Sequence, residues 1–377
     1  MVLGCVTMAG AAGLHILSTP LTSAYGTVAS ALTGNAIWSS STTYGTGAVV
    51  AYNGVVYTSS IPSNTCGPPP SCSSSWTAAG SGGGGGGGGS GYLYEAYSFS
   101  TTNVVIVPSG SISGMATLLK GSVVVTADSS GTVYVGSTSA CCPSNPEVLE
   151  YASGASGNVA PTRTIGGALT GLGSIDGLAV DSSGTLYVAN FSGNSVTEYA
   201  SGASGNIAPT ITISGALTGI SEPNGIAVDS SGTVYVSNRG NNSVTEYAAG
   251  FSGNNAPTNT ISGALTTFAT YYPVAIAVDS SKTLYAINLL GSSVLEFASG
   301  ASGNVAPTNN LTGGLVGMTG LAVDPSGTVY ESEPGRSSPT PAGAWIASFA
   351  AGASGNVAPT SSMNYEAIEG PVGLGYR

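Results

Sequence analysis

The sequence predicts an all-β protein whose main domain is a β-propeller of six blades. A unit of about fifty residues recurs five times, which is a length typical of propeller blades. Its clearest marker is a turn aspartate, found at Asp128, Asp181, Asp229, Asp279 and Asp324. The apolar residues lack the 3- and 4-residue spacing of helices. They form short β-branched and Tyr-containing runs bounded by Gly, Asn, Ser and Pro, which indicates strands.

Each unit reads as four short strands, most clearly from residue 222 in EPNGIAVDSSGTVYVSNRGNNSVTEYAAGFSGNNAPT. The runs GIAV, TVYVSN and SVTEYA are separated by a DSSG turn and a polar loop, and a short fourth segment follows the Pro-containing loop. One four-stranded blade cannot bury both of its faces. It therefore needs a neighbour on each side, and a closed ring leaves no exposed end.

The turn aspartates have a local explanation, which we favour over a catalytic ring of carboxylates. Asp accepts hydrogen bonds from backbone N–H groups two residues on, and the Gly that follows allows a positive φ. Lys282 replaces that Gly in the fourth turn, so we expect this turn to be strained or differently shaped. The other four turns keep Gly131, Gly184, Gly232 and Gly327.

The sixth blade is expected to combine the two ends of the propeller sequence. Residues 92–112 read as the third and fourth strands of a unit, and residues 370–377 (GPVGLGYR) restate the start of one. A second strand is missing from this assignment, which leaves either a short blade or a fragmentary chain.

The repeat PNGIAVDSSGTVYVSN at residues 223–238 and its copies resemble the NHL-repeat family of β-propellers over about residues 92–377. The resemblance implies the fold. It does not fix an activity, because propellers of this kind include lyases, lactonase-like enzymes and binding scaffolds. The family often carries Asp at the end of the second strand, where this chain has Asn190, Asn238 and Asn288.

The propeller is expected at residues 91–377, and three further regions precede it. Residues 1–35 are an apolar segment resembling a remnant signal, although the first Lys or Arg is Lys120 and a secretory signal starts with positive charge. Residues 36–80 form a small β module. Residues 81–90 contain eight consecutive glycines and predict a flexible linker. The linker lacks the Lys-Ser/Thr and the helix of a phosphate-binding loop.

The small module is similar to carbohydrate-binding modules of types 5 and 12. Asn53-Gly54 predicts a hairpin turn between two short strands. The resemblance implies stacking of aromatic rings on sugar, while a competing interpretation makes the same residues the core of a tiny domain. The aromatic residues that carry the resemblance are Trp38, Tyr44, Tyr52, Tyr57 and Trp76.

Composition argues against one class of partner and indicates where the protein acts. Only 6% of residues are charged and the formal net charge is −11, which argues against nucleic acid as a partner. The sequence favours an extracellular or cell-surface, monomeric protein without a membrane span. A disulfide between Cys66 and Cys72 would suit an oxidising compartment. The pairing of the adjacent Cys141 and Cys142 stays open.

The ligand face is predicted from variation among the repeats. Loops after the second strands differ most, whereas the DSSG and ASGASGNVAPT stretches on the opposite face are nearly copied. Oxygen ligands on the variable face suit Ca²⁺, while a structural interpretation makes the asparagines caps of strand ends. The predicted site residues are Asn190, Asn238, Arg239, Asn288, Glu333, Asp176, Glu222 and Asn224.

Three functions fit the sequence. We favour a binding or scaffold protein whose propeller is tethered to a polysaccharide-binding module. An alternative is a lactonase- or lyase-type enzyme using a divalent cation, and another is part of a phage-like or surface assembly. The only His is His15, outside the propeller, so a catalytic role there would fall to groups such as Tyr271, Tyr272 and Arg239.

Overall fold

The computed structural model describes the backbone of residues 49–52, 55–59, 76–78, 93–98, 103–107, 110–112, 122–138, 146–155, 159–268, 272–313, 315, 317–333, 343–366 and 371–376. Side chains are described within 124–136, 146–155, 159–268, 272–313, 315, 317–333 and 346–360. The protein is an all-β propeller, as the repeats predict.

A three-stranded antiparallel sheet forms first, from β1 (Val49–Tyr52), β2 (Val55–Ser59) and β3 (Trp76–Ala78). β1 and β2 pair antiparallel with Tyr52 opposite Val55, as the predicted hairpin requires; the turn residues 53 and 54 themselves lie outside the described residues. Trp38, Tyr44, Cys66, Cys72, Cys141 and Cys142 lie outside the described residues. The sugar-binding assignment and the disulfide therefore stay predictions.

Three strands precede the blades: β4 (Leu93–Ser98), β5 (Asn103–Val107) and β6 (Gly110–Ile112). Five blades then follow, each a four-stranded sheet made from one continuous segment. Blade 1 contains β7 (Ser122–Ala127), β8 (Val133–Thr138), β9 (Glu147–Tyr151) and β10 (Arg163–Gly166). Blade 2 contains β11 (Ile175–Val180), β12 (Leu186–Asn190), β13 (Ser195–Tyr199) and β14 (Ile211–Ser214).

The remaining blades repeat this pattern. Blade 3 contains β15 (Pro223–Val228), β16 (Val234–Asn238), β17 (Ser243–Tyr247) and β18 (Asn259–Ser262). Blade 4 contains β19 (Pro273–Val278), β20 (Leu284–Asn288), β21 (Ser293–Phe297) and β22 (Asn309–Leu311). Blade 5 contains β23 (Gly320–Val323), β24 (Val329–Glu333), β25 (Gly343–Phe349) and β26 (Ser361–Glu366).

The final strand, β27 (Pro371–Tyr376), pairs antiparallel with β4 rather than with blade 5. The resulting four-stranded sheet has the order β27-β4-β5-β6. Residues 93–98 are therefore the second strand of this sheet, and the assignment of residues 92–112 as only third and fourth strands was wrong. The error arose because two short strands, β5 and β6, were read as one.

The core lies between blades. First strands of neighbouring blades contact one another, from β7 through β11, β15 and β19 to β23. Apolar side chains on the facing sheets fill each gap. Between blades 2 and 3, for example, Tyr187 and Ala189 belong to the same buried cluster as Ile226 and Val236. Blades 2, 3 and 4 thus bury both of their faces on their neighbours, which explains why one unit cannot stand alone.

The DSSG turns are structural, as predicted. In the second turn, Asp181 Oδ1 accepts hydrogen bonds from the Ser183 and Thr185 amides at 2.8 and 2.9 Å. Its Oδ2 accepts a bond from the Tyr187 hydroxyl at 3.2 Å. Although burial raises the pKa of Asp181, these bonds lower it below its usual value overall. The carboxylate is therefore committed to its own hairpin.

The copied ASGASGN stretch also has a structural explanation. It reaches back to the fourth strand of the preceding blade, where the Gly205 amide donates to the Thr164 carbonyl at 2.6 Å. The Asn206 side chain then accepts from the Leu169 amide at 2.8 Å. The same parallel bridge recurs at three further blade boundaries. These stretches are alike because each joins one blade to the next.

Candidate functional site

The loops after the second strands of blades 2, 3 and 4 share one design. Their first residues are Phe191, Arg239 and Leu289, at equivalent positions. Each donates its backbone N–H to the segment that precedes the first strand of the same blade: to Ser174 at 2.8 Å, to Glu222 at 3.2 Å and to Tyr272 at 3.5 Å. Side chains from the two variable segments are therefore brought to the same end of the ring.

Close packing of the first strands brings two polar side chains together at this end. A Cβ on Gly177 would lie 2.8 Å from the Asn224 carbonyl oxygen, and one on Gly225 would lie 2.4 Å from the Val274 carbonyl oxygen. Only glycine permits such an approach. The pairing of the first and second strands is irregular in register where the first strands of blades 2 and 3 begin. At this point the Asn224 amide donates to Asp176 Oδ2 at 3.2 Å.

The Asp176 carboxyl is an unusual acid. Burial raises its pKa to about 6, even though the Ser174 hydroxyl, the charge of Arg239 and the Asn224 amide each lower it. A carboxyl group with a pKa near neutrality can change protonation under physiological conditions. Asp176 lies where blades 2 and 3 meet, in contact with Asn224, and a ligand-binding role for either residue stays a prediction.

Arg239 spans three blades. Its guanidinium carbon lies 4.9 Å from the centre of the Tyr272 ring in blade 4 and 5.9 Å from that of Phe191 in blade 2. Both distances fall within the range of cation–π attraction. Sequence reasoning found no partner for Arg239 or Tyr272, because their pairing depends on how adjacent blades are rotated. We call Asp176, Asn224, Phe191, Arg239 and Tyr272 the blade 2–4 mouth.

The three strand-end asparagines are buried, whereas the ligand hypothesis put their side chains at the mouth of the propeller. Asn190, Asn238 and Asn288 are at most 2% exposed. The Asn190 amide nitrogen donates to the Val188 carbonyl at 3.3 Å and the Thr197 hydroxyl at 3.0 Å, while its oxygen accepts from the Gly173 amide at 2.9 Å.

Asn238 repeats this arrangement, accepting from the Ser221 amide at 3.1 Å and donating to the Thr245 hydroxyl at 3.0 Å. The Asn288 amide donates to Thr267 at 3.0 Å. The expectation that these side chains present ligand atoms at the mouth is therefore corrected. They instead fasten the loop before the first strand to the end of the second, as the structural interpretation had it.

The predicted acidic residues divide between surface and interior. Glu222 is exposed, with a positive φ of 47°, and its amide donates to Asn194 of blade 2 at 2.6 Å. Glu333, by contrast, is 2% exposed and lies within the second strand of blade 5. Within the described part of the chain, no three His, Cys, Asp or Glu side chains are grouped as a metal site would need.

In sequence, the NHL repeat family matches residues 221–247, which span most of blade 3. No curated protein is significantly similar to the chain. Within the described part of the chain, no helix has the length and hydropathy needed to span a membrane.

One solved structure supports the fold, and a second is similar over a comparable share of the chain. A Bacteroides caccae protein of unknown function is similar at 10% identity and a TM-score of 0.50, covering 75% of this chain and 98% of its own. A catalytically inactive virginiamycin B lyase from Staphylococcus aureus with quinupristin shares 12% identity at a TM-score of 0.45. The match covers 74% of this chain and 80% of the lyase chain. At 10% identity the likeness to the Bacteroides caccae protein concerns the fold alone.

Proposed function

We propose that the protein is an extracytoplasmic, monomeric binding protein whose propeller holds a small ligand at the blade 2–4 mouth. The observation that carries this proposal is that the Arg239 guanidinium lies within cation–π distance of aromatic rings from two other blades. Charged, amide and aromatic side chains from three blades converge there. Binding sites combine apolar surface with a few fixed polar groups in this way.

Thermal shift and saturation-transfer NMR with a panel of neutral sugars, sugar acids, amino acids and aromatic acids test the proposal. We expect at least one class to bind the wild type and to lose binding in Arg239→Ala. Lys282→Gly, a change to a cation in a turn on the opposite face, is the matched control and should bind normally. Absence of binding by every class, or equal binding by Arg239→Ala, would overturn the proposal.

The N-terminal module is proposed to attach the propeller to polysaccharide. Support comes from the aromatic pattern and from the β1–β2 hairpin at its centre. Retention on insoluble chitin and cellulose should fall in Trp38→Ala and Trp76→Ala relative to the wild type. If both variants are retained equally, the aromatic residues serve the core of the module. Export is supported by the low charge of the chain, and recovery from the medium or the cell surface tests it.

Catalysis is the second candidate, favoured by one observation: burial raises the pKa of Asp176 to about 6 beside the positive charge of Arg239. An acid–base group of this pKa and a fixed cation could support lactone opening or elimination. Turnover of a lactone panel, with Ca²⁺ and with chelator, should then disappear in Asp176→Asn. Binding without turnover would leave the binding function.

We also propose that the sheet of β27, β4, β5 and β6 acts as a sixth blade and closes the ring. Support comes from the contacts of β27 with the first strands on both sides, β23 and β7. Closure of this kind leaves no exposed edge among the first strands. It would hold the blade 2–4 mouth in a rigid ring.

A further inference from the structure

Among the described residues, two cationic side chains form ion pairs and a third, Arg239, does not. Arg163 is paired with Glu150, and Lys282 is paired with Asp229 at 3.0 Å. Neither of these two ion pairs, the ones present in the described part of the chain, includes Arg239. Its side chain also donates no hydrogen bond to a described residue. Arg239 is exposed, so the N–H donors of its guanidinium, five in all, are open to solvent or to a ligand.

The acids near Arg239 do not use these donors. Asp176 instead accepts from Ser174 at 3.4 Å and from Asn224 at 3.2 Å, and it is held in the first strand of blade 2. Glu222 meets Arg239 through its backbone carbonyl, at 3.2 Å from the Arg239 amide. The carboxylate of Glu222 is exposed to solvent.

Two aromatic rings restrict the positions open to the exposed Arg239 guanidinium. Phe191 and Tyr272 belong to different blades, and both lie within cation–π distance of the same group. Holding a flexible Arg side chain before a ligand arrives reduces the entropy lost on binding. A planar guanidinium with free, parallel N–H groups matches the two oxygens of a carboxylate.

Building on the proposed function, we propose that the blade 2–4 mouth recognises a carboxylate on its small ligand, through a two-point hydrogen bond from Arg239. Phe191 and Tyr272 are positioning residues that hold the guanidinium. Glu222 is exposed and belongs to the segment that bonds the Arg239 backbone, so its carboxylate adds a negative charge close to the site. Selectivity for an anion is notable on a chain with a formal net charge of −11, because the overall field opposes anion binding.

The test uses matched pairs of probes on the full chain: D-glucuronate with D-glucose, benzoate with benzamide, and N-acetylglycine with its amide. Affinities are measured by calorimetry or by NMR titration. We expect at least one carboxylate to bind more tightly than its neutral partner. A charge-assisted two-point bond predicts a loss of about tenfold or more in Arg239→Ala.

Two further variants separate charge from geometry. Arg239→Lys keeps the charge but not the planar fork, so it should also lose most of the preference for carboxylate. Glu222→Gln should strengthen carboxylate binding by removing a negative charge from the segment beside Arg239. Lys282→Gly should leave affinity unchanged, and circular dichroism checks the fold of each variant.

The outcomes distinguish this inference from the proposed function. If a neutral probe binds as tightly as its carboxylate partner and Arg239→Ala abolishes both, the mouth binds ligands but does not select carboxylates, and the inference is wrong. If Arg239→Lys binds carboxylates as well as the wild type, the two-point geometry is wrong. If no probe binds, the site itself is contradicted.

Discussion

Lys282 shows how one residue can depart from a repeat without breaking it. It has a φ of 64° where the other turns carry glycine, and its amide still closes the turn on the Asp279 carbonyl at 3.0 Å. The predicted strain is therefore confined to the backbone angle, and the turn keeps its shape. The ammonium group lies 2.8 Å from the Ser231 hydroxyl and pairs with Asp229 of the preceding blade.

This position gives a paired prediction on stability. Lys282→Gly relieves the positive φ but loses the ion pair, so its free energy of unfolding should stay close to that of the wild type. Lys282→Ala loses the ion pair and keeps the strain, so it should be about 1 kcal/mol less stable than Lys282→Gly. Chemical denaturation of the two variants measures the difference. Equal stability would show that the backbone at residue 282 is unstrained.

Asp176 gives a pH prediction. Its pKa is raised to about 6 by burial, so the stability associated with its neutral form is present at low pH and is lost as the pH rises through about 6. Asp176→Asn should therefore exceed the wild type in stability at pH 8, by on the order of 1 kcal/mol after solvent screening. The difference should vanish near pH 4. A variant that is less stable than the wild type at pH 8 would contradict this account.

At the scale of the strand, the site depends on the first strands of blades 2 to 4 approaching closely. Gly225→Ala would place a Cβ 2.4 Å from the Val274 carbonyl oxygen, and backbone cannot yield cheaply there. The variant should lose on the order of 1–3 kcal/mol of stability, as overpacked cores do. It should also weaken ligand binding.

Gly193→Ala is the matched control for Gly225→Ala. Its Cβ would meet the flexible Ser195 side chain at 3.2 Å, so its melting temperature should change little. A Gly225→Ala variant as stable as this control would show that the first strands are free to separate.

The strand pattern and the DSSG turns could be predicted because each depends on neighbours in sequence. Asp181 bonds Ser183 and Thr185, only two and four residues away. The Arg239–Tyr272 contact could not be predicted, since it joins residues of different blades. The asparagine ligands were predicted from position at a strand end, but position does not determine whether an amide faces solvent or its own loop. That Asp176 and Asn224 lie on the same face could be predicted, because equivalent positions of first strands meet in a ring.

At the scale of the whole molecule, ring closure predicts a cooperative effect of the last strand. Deleting residues 370–377 removes β27, the partner of β4 and the neighbour of β23 and β7. The melting temperature should fall by several degrees, and the transition should broaden. Deleting residues 1–90 instead, which removes the small module and linker, should leave the propeller transition in place. An unchanged melting temperature without residues 370–377 would show that the ring does not rely on β27.

The central claim is that a carboxylate ligand binds at the mouth formed by blades 2, 3 and 4. A crystal of the full chain soaked in 4-iodobenzoate tests it most directly, because the anomalous signal of iodine locates the probe without assumptions about its site. The account predicts a probe at the blade 2–4 mouth with its carboxylate within hydrogen-bond distance of the Arg239 guanidinium. Iodine found only elsewhere, such as along the ASGASGN stretches of the opposite face, or no bound probe at all, would contradict it.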